Sequence, residues 1–278
     1  MLRMAGGSSS GPDMVQDFLG AKKPIVAMAH LGPLPGAPGY DARGGVDALI
    51  AAVAADVEKL QAGGVDAVMF GNEGDRPYVL KAAPEGLAAM AAIVAAVKPT
   101  LKVPFGVNYL WDPYATVALA VATGAAFARE VFTGVYASDM GLWQPDCAHA
   151  LRLRAALGRP ELKLLFNVNA EFADSLDHRP LELRARSAVF SSLADVICVS
   201  GPLTGQPVNS SDLQKVKAAV SDRPVFANTG VTIDNVGEIL AVADGCVVGT
   251  HFKEGGDTWR PVDGERVRRF MARVKELR

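Results

Sequence analysis

The residues able to do chemistry in this chain stand at the ends of short apolar runs. His30 closes "PIVAMAH", Asn72 and Glu73 follow "DAVMFG", and Asn108 ends "VPFGVN". Arg129 and Glu130 lie inside "FAREVF", and Asn167, Asn169 and Glu171 punctuate "LLFNVNAEF". Carboxylates and an imidazole are the usual general acids and bases. Glu73, Glu130 and Glu171 are therefore the candidate bases, and His30 the candidate acid. His30 with Glu73 is also the pair that would hold a divalent metal, if one is used. Arg129 and Glu130 are neighbours in a strand, where side chains alternate, so one of the two should face the site and the other the helices. An amide both donates and accepts, so the asparagines suit the hydroxyls of a sugar or polyol. The plainer uses of the same residues are a structural histidine and amides bonded to nearby backbone.

A second set suits an anion. In "VFANTGVTIDNVGEILAVADGCVVGTHFKEGG" (225–256), a glycine follows each of two buried runs. Gly230 and Gly249 would let an anion approach backbone amides. Asn228, Thr229 and Thr250 add side-chain donors, and Lys253 would add charge. Thr232 and Asp234 are candidate caps for the helix "NVGEILAVA", whose first turn would favour phosphate. Ser200, Gly201 and Thr204 of "VSGPLTG" would reach the same side. Used singly, each glycine is explained by a turn alone; as a pair at adjacent strand ends they point to phosphate.

These groups need a scaffold that brings strand ends together. Eight apolar runs read as strands at 24–30, 66–71, 103–109, 127–132, 163–169, 195–200, 224–229 and 245–250, each nearly continuous, as strands buried on both faces are. Ala-rich helical patterns separate them; "GGVDALIAAVAADVEKLQAGG" is the clearest. Eight strand–helix units predict an α/β protein with a (β/α)8 barrel in a single domain, 21–278. In such barrels the chemistry gathers at the C-terminal ends of the strands, with phosphate after the seventh and eighth. An open doubly wound sheet would want a glycine-rich turn after the first strand; "HLGPLPGAPGY" has three prolines instead. Residues 1–20, with "GGSSSG", read as a disordered or poorly ordered lead-in. Asp112 reads as a helix N-cap before Pro113. "DSLDHRP" (174–180) reads as a surface turn, and the tail "GERVRRFMARVKELR" as an amphipathic closing helix with an ordinary surface.

With 278 residues, half of them hydrophobic, the chain can bury a large core. A net charge of -2 without a basic block gives no footprint for nucleic acid. The three cysteines are not spaced for zinc or a disulfide framework. No apolar run reaches the length of a membrane span, so a cytoplasmic location is expected, with peripheral membrane contact left open.

The stretches "PIVAMAHLGPLPGAPGY", "GVDAVMFGNEGDRPY", "GVNYLWDPYATVALA", "FAREVFTGVYASDMGL", "NVNAEFA", "VSGPLTG", "ANTGVTIDNVGEIL" and "GTHFKEGG" together resemble the BtpA/SgcQ family over nearly all of residues 23–275. The resemblance implies a TIM-type barrel related to ribulose-phosphate-binding barrels. Photosynthetic members are implicated in photosystem I accumulation, and other members are encoded beside sugar-transport genes. "GVDAVMFGNEGDRP" is also similar to the second-strand region of tryptophan synthase α subunits, but the position of their catalytic carboxylate falls on Met69. That departure argues against the same lyase chemistry. The strands "DVICVSG" and "LLFNVN" carry no Schiff-base lysine, which argues against class I aldolase chemistry. The leading expectation is an isomerase or lyase acting on a small phosphorylated metabolite, a homo-oligomer by analogy. The alternative is a non-catalytic biogenesis factor on the same scaffold.

Overall fold

The structure is a computed structural model and describes residues 11–278. In chain order, the strands are β1 (Ile25–His30), β2 (Ala67–Gly71), β3 (Phe105–Asn108), β4 (Phe127–Glu130), β5 (Tyr136–Ser138), β6 (Gly141–Trp143), β7 (Lys163–Asn167), β8 (Ala173–Ser175), β9 (Val196–Val199), β10 (Val225–Ala227) and β11 (Gly245–Val248). The helices are α1 (Gly11–Leu19), α2 (Gly45–Ala62), α3 (Pro84–Val97), α4 (Pro113–Thr123), α5 (Cys147–Ala156), α6 (Leu181–Ser192), α7 (Ser210–Ala219), α8 (Val236–Val242) and α9 (Gly264–Glu276).

Eight strands close a parallel barrel in the order β1-β11-β10-β9-β7-β4-β3-β2. All eight expected strands are present, each shorter than its apolar run; β1 and β2 lose only the first residue, while the other runs continue past the strand into the loop at the mouth. The fold is the single-domain (β/α)8 barrel that the alternation of elements predicts. β5, β6 and β8 form a separate three-stranded antiparallel sheet. Part of the turn expected at 174–180 is therefore strand: Ala137 pairs with Asp174 and Tyr136 with Ser175.

The period of two sorts each barrel strand into two faces. Val26, Met28, Met69, Phe127, Leu165, Cys198, Phe226 and Val247 fill the interior. Their neighbours Ala27, Val68, Val107, Ala128, Leu164 and Ile197 pack against the helices. Carried one step further, this parity gives His30, Gly71, Asn108, Arg129, Asn167, Ser200, Asn228 and Gly249 the inward register at the strand ends.

The lead-in expected at 1–20 is in part structured. Residues 11–19 form α1, whose Val15 and Leu19 are buried in the interior cluster. Phe18 meets the Phe127 ring edge-on, with centroids 6.3 Å apart. The helix closes the end of the barrel opposite the mouth, which a (β/α)8 repeat alone leaves open. Residues 1–10 lie outside the described residues.

Asp112 caps α4 as expected. Its Oδ1 accepts from the amides of Tyr114 and Ala115, both at 3.0 Å, and its Oδ2 accepts from the Ala82 amide at 3.0 Å. One side chain thus ties the β2–α3 loop to the start of α4. Asp112→Ala is expected to cost about 1–2 kcal/mol, the upper part of the range for losing a cap. Urea denaturation should read this as a lower midpoint with an unchanged slope.

Candidate active site at the barrel mouth

A cavity of about 250 Å³ opens where the strands end, lined among others by His30, Glu73, Tyr78, Trp111, Arg129, Glu171, Thr204, Asn228, Thr229, Gly230, Gly249, Thr250 and Arg266. Two inward positions at the rim are glycine, and that makes room for two reactive side chains. A Cβ on Gly71 would lie 2.5 Å from a Glu73 carboxyl oxygen. A Cβ on Gly249 would lie 2.9 Å from the His30 ring. Glu73 and His30 therefore fold back over the mouth, with Nε2 and Oε1 3.7 Å apart.

Burial sets their charge. Desolvation raises the Glu73 carboxyl to about 7, against a smaller downward pull from Arg129. Desolvation, then the Lys253 and Arg129 charges, hold the His30 imidazole down near 3. His30 is thus neutral at pH 7, and the acid role expected of it does not follow; Glu73 is the group that titrates near neutrality. Glu171 is also raised by burial, and its Oε2 accepts from the Thr204 hydroxyl at 2.8 Å. Among the described residues the buried His30 Nδ1 and Glu73 Oε2 have no hydrogen-bond partner.

Arg129 and Glu130 divide as the strand requires. Arg129 faces the cavity, and Glu130 does not line it. Glu130 Oε1 accepts from the Val131 amide at 2.8 Å and Oε2 from Asn108 Nδ2 at 2.5 Å. Its burial raises it to about 8. Glu130, expected among the bases, is instead a support for Asn108. Asn108 in turn holds Arg129: its Oδ1 accepts from Nε at 2.9 Å and from Nη2. Asn228 Oδ1 accepts from Nη1 at 3.0 Å, while Asn228 Nδ2 donates to the Ser200 hydroxyl at 2.8 Å.

The side expected to take an anion differs in its cation. Lys253 is 2 % exposed and its Nζ donates to Asp56 at 2.8 Å, behind the rim. Asp56 also accepts from the Val262 amide at 2.7 Å, so this pair fastens the segment after β11 to α2. Arg266, in the first turn of α9, lines the cavity instead and is steadied by the His251 carbonyl at 2.7 Å. The amides of Gly230, Val231 and Gly249 find no acceptor among the described residues. Asn235 shapes the Gly230 turn, accepting from the Thr232 amide at 2.8 Å and donating to the Gly230 carbonyl at 2.9 Å. It is Asn235, not Thr232 or Asp234, that stands at the α8 N-cap position.

Three expected contacts lie elsewhere. Asn169 is bonded to the Ser200 backbone through both amide atoms, at 2.6 and 2.9 Å. The Gly201 amide donates to the Thr229 hydroxyl at 2.5 Å, which itself donates to the Gln206 carbonyl at 2.8 Å. Ser200, Gly201 and Asn169 line a neighbouring hollow rather than the mouth cavity. Asn167 has the inward register, and both its amide atoms are buried and unpartnered among the described residues. Among the described residues no three His, Cys, Asp or Glu side chains gather at metal-binding spacing. His30 and Glu73 are the pair that would hold a divalent ion together with ligand oxygens.

Arg129 is the member of the Arg129–Glu130 pair that the strand turns inward, and the residues missed from sequence lie elsewhere. Arg266, Tyr78 and Trp111 carried no signal, since only the folding of distant loops brings them to the rim. Arg76 stacks 3.6 Å over the Trp259 ring and joins two of those loops.

The fold and site define a (β/α)8 barrel whose mouth cavity brings unpaired backbone amides together with a buried carboxylate. The chain belongs to the BtpA family, whose model matches residues 21–276. It is 45 % identical over 264 residues to the putative sgc region protein SgcQ of Escherichia coli, covering 95 % of this chain and 98 % of that one. It is 32 % identical over 267 residues to the photosystem I biogenesis protein BtpA of Synechocystis, covering 95 % and 92 %. Among solved structures, phosphoribosyl anthranilate isomerase from Thermus thermophilus aligns over 92 % of this chain and all of its own, with TM-score 0.55 and 17 % identity. The (S)-3-O-geranylgeranylglyceryl phosphate synthase of Thermoplasma acidophilum, in complex with sn-glycerol-1-phosphate, aligns over 95 % and 97 %, with TM-score 0.55 and 16 % identity. At these identities the likeness is one of fold. Among the described residues, no helix is long and apolar enough to cross a membrane.

Gly230 has φ of +63°, and a Cβ there would run into the backbone of Gln206 and Pro207. Gly230→Ala is expected to destabilise by at least about 3 kcal/mol, from the left-handed backbone and the overlap together. Thermal unfolding of the unliganded protein measures this, and it makes position 230 unsuitable for testing ligand binding.

Proposed function

We propose that this protein is an enzyme acting on a small phosphorylated sugar or polyol by isomerase- or lyase-type proton transfer. The observation that carries the reading is one cavity holding both an anion cradle and a buried carboxylate raised to about 7. The phosphate rests on the amides of Gly230, Val231 and Gly249 and on the Thr250 hydroxyl, with Arg266 supplying charge. Glu73 takes and returns the proton; neutral His30 and the Thr204-bonded Glu171 orient hydroxyls. Phosphate binding remote from the reacting carbon supplies orientation. At about 250 Å³ the cavity is smaller than those that take drug-sized ligands, which suits a short phosphorylated chain. The relative whose structure contains sn-glycerol-1-phosphate shares this fold, which is consistent with that choice. The proposal includes a cytoplasmic, self-associating protein, which fractionation and sedimentation would test.

A second reading, an assembly role, rests on one surface feature. Phe190 is 89 % exposed on α6, beside Leu183 and Leu193, and a 32 % identical relative is named a photosystem I biogenesis protein. Cosedimentation with membranes that is lost in Phe190→Ser would favour it.

The first test is thermal unfolding with inorganic phosphate, a panel of sugar phosphates and the matching free sugars. A ligand at a hundredfold excess over Kd should stabilise by about 2.7 kcal/mol. Thr250→Asp should abolish the shift while the unliganded Tm moves by only a few degrees. If no phosphorylated compound shifts the Tm, the enzyme reading fails.

Glu73 predicts two pH effects. Once a substrate is found, kcat/KM should rise with pH to a plateau above about 7, and Glu73→Gln should lower turnover by about 10²–10⁴-fold. Between its ordinary value near 4.5 and about 7, the folded state holds a proton that the unfolded state has released. Stability from this group therefore falls as pH rises through that window. Glu73→Gln should gain relative to wild type from pH 4.5 to 7 by up to about 3 kcal/mol, read by urea denaturation across pH.

A further inference from the structure

Arg129 is 5 % exposed, yet its hydrogen bonds go only to the neutral amide oxygens of Asn108 and Asn228. Among the described residues no carboxylate lies within ion-pair distance of it. A guanidinium has five N–H donors. Nε and one N–H of Nη2 serve Asn108, and one N–H of Nη1 serves Asn228, so each terminal nitrogen keeps one donor without a protein acceptor. The two asparagines are themselves anchored, one by Glu130 and the other by Ser200. The side chain is thus locked in place, with two donors free, at the wall of a cavity that also holds Glu73 and Glu171.

We infer that Arg129 receives an anionic oxygen of the ligand, so that the substrate is a phosphate ester carrying a carbonyl or carboxylate beside the carbon that loses its proton. This inference rests on the phosphate reading above and narrows it from any sugar or polyol phosphate to a phosphorylated hydroxy-carbonyl compound. In the step it implies, Glu73 removes the proton from the carbon next to the carbonyl. The C–H electron pair becomes the C=C bond, and the carbonyl π pair moves onto oxygen. The two free N–H groups of Arg129 stabilise that oxyanion, as preorganised donors do at developing charge. Return of the proton to the neighbouring carbon, with the hydroxyl proton passing to the former carbonyl oxygen, gives the isomer without a co-reactant.

The test compares 2-phosphoglycolate, which carries a carboxylate beside its phosphate-bearing carbon, with glycerol 3-phosphate and inorganic phosphate. Binding is read by calorimetry and by thermal shift. Wild type should bind 2-phosphoglycolate at least about tenfold more tightly than glycerol 3-phosphate. Arg129→Gln should erase that preference while still binding inorganic phosphate, and Arg129→Lys should keep only part of it, because a point charge lacks the fork. Equal binding of the two esters by wild type overturns the inference even if neither variant folds. A preference that survives in Arg129→Gln overturns it too. Both outcomes leave the phosphate reading standing. Failure of all three compounds to bind wild type sinks the phosphate reading and this inference together.

Discussion

Each strand of a closed barrel has one inward face, and that constraint governs everything at the mouth of this protein. Side chains alternate along a strand, so apolar interior residues fix which of the last residues turn inward. Phe127 inside puts Arg129 inside and Glu130 outside. Met28 inside brings His30 to the rim. The constraint also explains the glycines: with Gly71 and Gly249 at inward positions, the layer that would otherwise fill with side chains has room for Glu73 and the His30 ring.

The electrostatics follow from that enclosure. Glu73, Glu130 and Glu171 are all pushed above the usual carboxylate range by burial, and His30 is pushed down by the same cause. Raised carboxylates beside a neutral histidine are a common feature of sites that move protons. Arg129 and Arg266 are then the cations facing the cavity, while Lys253 is neutralised behind it by Asp56. The two loops that carry Arg76 and Trp259 add walls that the eight-fold repeat does not supply, and the small sheet of β5, β6 and β8 packs Tyr136 and Trp143 against the lining residue Trp111.

Much of this was legible in the sequence because it follows from local pattern. Continuous apolar runs alternating with Ala-rich helices identify a barrel, and polar residues at the ends of those runs mark its mouth. Asp112 was legible because capping depends on its own next three residues. His30, Glu73 and Glu171 were legible as rim residues, but their protonation was not, since desolvation depends on what the rest of the chain places over them. Asn169 and Ser200 carried the right chemistry in the right loops and are bonded to each other, a pairing across two strands that no single segment reveals.

By itself, then, the sequence determined the layered architecture and the end of the barrel where the polar groups gather, because hydrophobic periodicity is a property of consecutive residues. The tertiary structure alone decided which polar groups remain free. Lys253 is held by Asp56, 197 positions away, and Arg129 by asparagines 21 and 99 positions away. Arg266 reaches the cavity only because α9 packs beside the segment after β11. Availability to a ligand is what remains after every internal partner has been satisfied, and those partners are set by closure of the chain in space.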